Sequence, residues 1–317
     1  MDLKFKPADL QENISLANHT TFRIGGPARY FLAVKNEVEI LAAIKFAREN
    51  NLDFFILGGG SNLLVSDKGF GGLAIKNQDS SFKIEGNKIN SGAGVFLGKI
   101  LSESIENNLT GLEWAIDIPG TIGGAIAGNA GAYGHSISES VKKVRVLRPA
   151  DLTFKDLSLN DCGFVYRGSI FKQTQDIIIS VELELAAGDK ASSQKSIKDI
   201  LAQRQGKIPP FPSAGSFFKN YRLQNKDYQV EPLIKKFPDL TRKIRSGKIG
   251  VGYLIEQCGL RGARAGGAMV APEHANFIVN AGGATAADVL KLAELCQEKV
   301  REKFSIDLDI EKKLIGF

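Results

Sequence analysis

Two stretches of the sequence concentrate residue types that suit a phosphate-bearing ligand. Leu57–Leu64 reads LGGGSNLL and follows the apolar run Asp53-Phe54-Phe55-Ile56-Leu57, so its glycines stand where a buried strand ends. Glycine amides in that position can approach a pyrophosphate and donate N–H groups to its oxygens. The pattern is not a Walker loop, because no lysine follows the glycines before Lys68, and it is not GxGxxG either. Alone, a triple glycine after a strand is more often a turn than a ligand loop. A second small-residue region, Ile118 through Gly134 (IPGTIGGAIAGNAGAYG), changes that balance, since two such loops in one domain suit a ligand long enough to need both. A dinucleotide has that length. Glycine is abundant throughout, with 34 copies in 317 residues, where about 7% is usual.

Three polar residues stand in contexts that admit chemistry. Arg167 lies in Tyr166-Arg167-Gly168-Ser169-Ile170-Phe171-Lys172, where the plain reading is a strand with an exposed arginine. Ser216 lies in Ala214-Gly215-Ser216-Phe217-Phe218-Lys219-Asn220, after the turn-rich KIPPFP, where the plain reading is a turn entering a strand. No histidine is near it in sequence and no Gly-x-Ser-x-Gly elbow exists, so Ser216 suits a positioned proton donor better than a nucleophile. Glu311, in Leu308-Asp309-Ile310-Glu311-Lys312, is by pattern a solvated carboxylate on a terminal strand. The histidines, His19, His135 and His274, lack HExxH spacing, and no metal site is expected.

Composition narrows the class. Lys plus Arg number 41 against 35 Asp plus Glu, a net charge of +6, and the charged fraction of 24% is that of an ordinary globular protein. The basic residues are dispersed and Trp114 is the only tryptophan, which argues against a nucleic-acid binder. Cys162, Cys258 and Cys296 form no CxxC pair or even-numbered framework, as expected of a cytoplasmic protein. The first residues, MDLKFKPADLQENI, lack the apolar core of a signal peptide, and no run approaches the ~18 apolar residues of a membrane span.

The elements that must position these residues follow from periodicity. Asn36–Asn50 carries Val38, Ile40, Leu41, Ile44 and Phe46 at helical spacing and leads into the strand before LGGGSNLL. Short strands are expected at Gly72–Lys76, Ser81–Ile84 and Lys88–Ser91, then a helix near Val95–Asn107. The region 118–134 holds too many glycines for a helix that is stable alone. Strands are expected at Val141–Leu147 and over the alternating Asp176–Leu185, and helices at Ala191–Gln203, Gly252–Cys258 and Ala284–Phe304. The polar Asp189–Lys195 reads as a linker, with the domain boundary near 190–205.

Taken in order, these motifs resemble one family. The chain is similar to the UDP-N-acetylenolpyruvoylglucosamine reductase (MurB) family of peptidoglycan synthesis in seven blocks: NHTTFRIGGPA from Asn18, LGGGSNLL, IPGT through NAGAYG, Tyr166-Arg167 with Ser169–Lys172, AGSFFKN, IEQCGL from Ile255, and HANFIVN from His274, with the terminal Glu311 beyond them. The resemblance implies an α+β fold, with a two-part FAD-binding domain of PCMH/vanillyl-alcohol-oxidase type followed by a smaller α+β substrate-binding domain. It implies residues 1–190 for the first (subdomains about 1–76 and 77–190), a linker helix over 191–205, and 206–317 for the second. It implies noncovalent FAD, NADPH as electron donor and UDP-N-acetylglucosamine enolpyruvate as substrate, in a cytoplasmic monomer serving cell-wall growth and division. By the same resemblance Arg167, Ser216 and Glu311 are catalytic. Flavin contacts fall on Leu57, Gly58, Gly59, Gly60, Ser61, Asn62, Pro119, Gly120, Thr121, Gly124, Gly128 and Asn129, and substrate contacts on Tyr166, Lys207, Lys219, Asn220 and Gln257. The short interval between Arg167 and Ser216 makes the chain type II-like. Another PCMH-fold FAD oxidase or dehydrogenase is the alternative, but such enzymes often attach flavin through a histidine or cysteine in the first glycine loop, and LGGGSNLL has neither.

Three departures from the family pattern stand out. Asp117 replaces a usual glycine, Gly168 a usual aspartate, and Leu-Asp-Ile-Glu-Lys at Leu308–Lys312 stands where Leu-Glu-Pro-Glu-Val is preferred.

Overall fold

The computed structural model describes residues 7–223 and 230–317, so the first six residues, and 224–229 in a polar stretch that the family resemblance reads as an insertion over 221–250, lie outside the described residues. The chain divides into two units, one of 1–14, 27–60 and 70–205, the other of 15–26, 61–69 and 206–317.

In the first unit, Asn36 Oδ1 accepts the Glu39 amide at 2.9 Å while the Glu39 carboxylate accepts from Lys35 N and Asn36 Nδ2. This reciprocal cap starts the helix Glu37–Glu49. Its buried face is Ile40, Ala43, Ile44, Phe46 and Ala47, whereas Val38, expected on the apolar face, is solvent-exposed. The helix connects Pro27–Val34 to Phe54–Leu57, and Phe70–Asn77 lies between them, parallel to both, with Gln11–Ser15 on the outer edge. This parallel sheet delivers the chain to Gly58.

A five-stranded antiparallel sheet follows, in the order Thr153–Ser158, Val141–Arg148, Ile177–Glu184, Lys88–Gly92, Phe82–Glu85. The alternation of Ile177–Glu184 puts Val181 and Leu183 into a core with Ile89, Val144, Trp114 and the helix Leu97–Glu106. The helix expected over 191–203 is Lys190–Arg204, started by Asp189 Oδ1 accepting the Ser192 amide. It is no free linker. Ser193 Oγ donates to buried Glu113 at 2.5 Å and Arg204 donates to Ile116 O, so the helix groups with the first unit. Glu113 also accepts from Thr110 Oγ1 and Gly111 N, and these bonds hold its carboxyl below the usual range against the opposing effect of burial.

The second unit is built on an antiparallel sheet in the order Ser213–Ser216, Phe277–Asn280, Ala268–Val270, Arg264–Ala265. The helix Ala286–Phe304 lies in the same core through Val289, Leu292, Ala293, Cys296 and Val300. Thr285 caps that helix in a box with Asp288, and Asp67 accepts the next amides, Ala286 N at 2.8 Å and Ala287 N at 3.1 Å. Asp67 explains why Ser61–Gly69 groups with this unit rather than with the expected 1–190 stretch. The Lys313–Ile315 strand reinforces the grouping by pairing in parallel with Leu63–Val65. Of the polar insertion, the described part holds Tyr221–Arg222, the helix Val230–Lys236, the 3-10 turn Pro238–Lys243 and the strands Ile244–Arg245 and Lys248–Ile249. Among the described residues no helix is long and apolar enough to cross a membrane.

Candidate active site

In the first unit the two glycine regions meet. A Cβ added at Gly58 would lie 2.5 Å from Thr121 Oγ1, and one at Gly59 would lie 2.6 Å from Gly120 Cα. Gly59 therefore packs on the Gly120 backbone and Gly58 on the Thr121 side chain, which leaves no space for a side chain at either and fits an extended ligand held by main-chain groups. Gly120 also sits at φ +122°, open only to glycine. Lys76, at the end of its strand, donates to Gly58 O at 2.5 Å and so fixes the start of the first loop. Burial pushes its ammonium below the usual lysine range.

The second glycine region, too rich in glycine for a helix that is stable alone, forms a short helix, Ile122–Gly128. Neighbours compensate for its composition: Ile122 N donates to Val95 O and Gly123 N to Ala93 O, and Asn129 closes it in the left-handed region at φ +42°. The space beside Gly128 is open, and beside Gly124 the nearest atom is Thr121 Oγ1 at 3.8 Å. Asp117, the departure from glycine, lies at φ +57°, a backbone conformation that aspartate tolerates better than most side chains.

Arg167 is not on a strand. Val165 and Gly168 exchange both backbone bonds, N to O at 3.0 and 3.1 Å, so Tyr166-Arg167 is the tip of a two-residue turn. Arg167 takes φ +56° there, and its guanidinium lies over the Tyr166 ring at 5.6 Å. The turn is clamped from three sides. Asn129 Nδ2 donates to Val165 O at 3.0 Å, Ser169 Oγ to Ala127 O at 2.7 Å, and Lys172 Nζ to Arg167 O at 2.7 Å. Asn129, expected at the flavin, thus spends its side-chain N–H on the Arg167 turn.

In the second unit Ser216 ends the strand Ser213–Ser216 after Gly215, whose φ of +79° bends the chain at a position where the register shifts. Asn276, 2% exposed, holds the next two residues: its carbonyl accepts Phe217 N, and its side chain exchanges two bonds with the Phe218 backbone. Opposite runs the Glu311 segment. Phe218 bridges Ile310 antiparallel, Glu311 N donates to Phe217 O and Lys219 N to Asp309 O, each at 2.9 Å. Ser216 and Glu311, 95 positions apart in sequence, are therefore carried on paired segments.

The remaining expected residues are more scattered. Asn62 belongs to this unit, and its side chain is occupied: Nδ2 donates to Glu311 O at 3.3 Å and Oδ1 accepts from Lys312 Nζ at 2.6 Å. Asn220 Oδ1 accepts Val251 N at 3.2 Å, at the first residue of the helix Val251–Gln257, and Gln257 closes that helix in an exposed position. Lys207 is exposed and Lys219 half-buried. His274, next to the sheet, is pushed below the usual imidazole range by burial, with the charges of Arg261 and Lys207 acting in the same direction. Sequence reading missed Lys76, Asn276 and Lys312.

Residues 206–315 match the model for the UDP-N-acetylenolpyruvoylglucosamine reductase C-terminal domain, and 28–155 match an FAD binding domain. The UDP-N-acetylenolpyruvoylglucosamine reductase of Solibacter usitatus is 39% identical over 95% of this chain and 95% of its own. That of Carboxydothermus hydrogenoformans is 38% identical over 96% and 93%. The crystal structure of the Thermus caldophilus enzyme (MurB) superposes with a TM-score of 0.78 at 30% identity, covering 97% of this chain and all of that one. With such similarity along nearly its whole length, the chain belongs to the UDP-N-acetylenolpyruvoylglucosamine reductase family, an FAD-dependent oxidoreductase that uses NADPH in peptidoglycan synthesis.

Proposed function

We propose that Arg167, Ser216 and Glu311 carry the reduction of UDP-N-acetylglucosamine enolpyruvate, with the first unit holding FAD and the second holding most of the substrate. The observation that supports this reading best is the pairing of the Glu311 segment with the strand of Ser216, through the bond from Glu311 N to Phe217 O. FAD would be held by the backbone of Gly58–Gly60 and by Gly120, Thr121, Gly124 and Gly128, and when bound it supplies the hydride. What remains for the chain is to bind a carboxylate, stabilise the charge that develops beside it, and deliver one proton. The planar fork of Arg167 pairs with the carboxylate. Ser216 Oγ gives its proton to the carbon next to that carboxylate. Glu311 orients the same end of the substrate, and the net charge of +6 favours a ligand bearing a pyrophosphate and a carboxylate. Tyr166, Lys207, Lys219, Asn220 and Gln257 supply further substrate contacts. The three free thiols support a cytoplasmic protein, and we read it as a monomer.

Two measurements test this reading. Acid precipitation should release the flavin as FAD into the supernatant, because no histidine or cysteine stands in either glycine loop to make a covalent link. Colour remaining in the pellet would contradict it. In stopped-flow, Glu311→Gln should leave flavin reduction by NADPH near the wild-type rate and slow the enolpyruvyl step by about tenfold or more. Equal rates in both half-reactions would remove Glu311 from the chemistry.

A further inference from the structure

Lys312 is the last residue of the segment that departs from the family pattern, and it is buried, only 8% exposed. Its neighbour Lys313 is exposed, as a pair of lysines near a chain end normally would be. The Lys312 ammonium donates to Asn62 Oδ1 at 2.6 Å and to Ala214 O at 2.7 Å. Ala214 stands two residues before Ser216 on the same strand, and a Cβ added at Gly215 would lie 3.9 Å from Lys312 Nζ. The bridge between Phe218 and Ile310 and the bond from Glu311 N to Phe217 O run the Lys312 segment alongside the residues that follow Ser216. Asn62 in turn reaches back to Glu311 O. One ammonium thus joins the strand that carries Ser216, the segment that carries Glu311, and the residue just after the glycine loop.

We propose that Lys312 is a positioning residue for the proton-delivery step: it locks Ser216 and Glu311 in register and places a fixed positive charge beside Ser216. The inference rests on Ser216 being the proton donor. In that step the Ser216 O–H bond breaks, a C–H bond forms at the substrate carbon beside the carboxylate, and the electron pair stays on Oγ until solvent returns a proton. A preorganised cation in a water-poor setting stabilises that transient negative charge without reorganising. Burying an ammonium is costly unless its donors are well satisfied, so the two short bonds at this place are consistent with a positional role.

The experiment compares the holoenzyme with Lys312→Met, Ser216→Ala and the double variant in rapid-mixing half-reactions. Lys312→Met should keep flavin reduction by NADPH within about twofold and slow the enolpyruvyl step by about tenfold, well below the ~10²–10³-fold typical of losing a direct oxyanion donor. Its solvent deuterium isotope effect on that step should rise, and in the Ser216→Ala background it should slow the step no further, since the two act through one proton. If Ser216→Ala slows the step while Lys312→Met does not, or if the two effects multiply, the role of Lys312 is overturned and that of Ser216 stands. If Ser216→Ala itself leaves the step at its wild-type rate, the serine assignment falls first. Should Lys312→Met not fold, Lys312→Gln removes the charge while keeping an N–H donor, and the same comparisons decide.

Discussion

Ser216→Ala is expected to slow reduction of the enolpyruvyl sugar by about 10²–10⁴-fold, the range that a positioned general acid supplies, while flavin reduction by NADPH stays within a few-fold of wild type. The asymmetry is the point of the experiment. A proton donor is needed only after the hydride has moved, so its loss spares the half-reaction that contains no substrate carbon. The fold should tolerate the change, because the hydrogen bonds that hold this place use the backbone of Phe217 and Phe218 with Asn276 and the backbone of Ala214 with Lys312, not the serine hydroxyl. Stopped-flow of the separate half-reactions, with a melting curve, checks both statements. Equal slowing of both halves, or of neither, would assign Ser216 to structure.

Arg167→Lys should lower kcat/KM by about 10²-fold or more, even though charge is kept, because an ammonium cannot reproduce two parallel N–H bonds to a carboxylate and to the charge growing beside it. A surface arginine of no function would change stability by no more than about 0.5 kcal/mol and activity hardly at all. The backbone sharpens the contrast. Arg167 sits at φ +56°, where a residue with a Cβ is strained by roughly 1–2 kcal/mol. Three clamps, from Asn129, Ser169 and Lys172, hold it there. Arg167→Gly should therefore raise the melting temperature while abolishing turnover, the opposite signs expected where strain is kept for a side chain's sake. Steady-state kinetics with UDP-N-acetylglucosamine enolpyruvate, alongside calorimetry, gives both readouts. A well-folded Arg167→Lys with near-native kcat would remove this arginine from the mechanism.

The elements that the sequence announces are those whose signal is local. The helix Ala286–Phe304 has its capping threonine and its apolar stripe in one stretch, and Ile177–Glu184 alternates visibly. That the two glycine regions serve one ligand could be read from their composition, whereas their direct packing, Gly59 against Gly120, could not. Arg167 was placed on a strand because its flanks are apolar, and the turn that holds it depends on Asn129 and Ala127, about forty residues upstream. Lys312 is harder still. A pair of lysines reads as solvated, and the burial of the first comes from Ala214 and Asn62, 98 and 250 residues away. Asn220 and Asn62 also do structural work, satisfying the first amide of a helix and tying down the Glu311 segment, that has no signature in the residue type.

Among the described residues the strand Lys313–Ile315 pairs with Leu63–Val65, whose neighbour Asn62 lies 250 residues from Lys312. On a ribosome making roughly 5–20 residues per second, Leu63–Val65 emerges on the order of ten to fifty seconds before its partner exists. During that interval Leu64, and Phe22 from the same unit, have no core to enter, because most of the surrounding residues lie beyond position 213. The entropy of closing so long a loop grows only slowly with its length, so the delay costs little final stability, but it leaves an unpaired edge open to other chains. Synthesis must therefore pass Ile315, or the early segment be shielded, before this strand pair can form. A chain stopped just before Lys313 would lose more than a tail, since it would lack the partner of a strand made near its beginning.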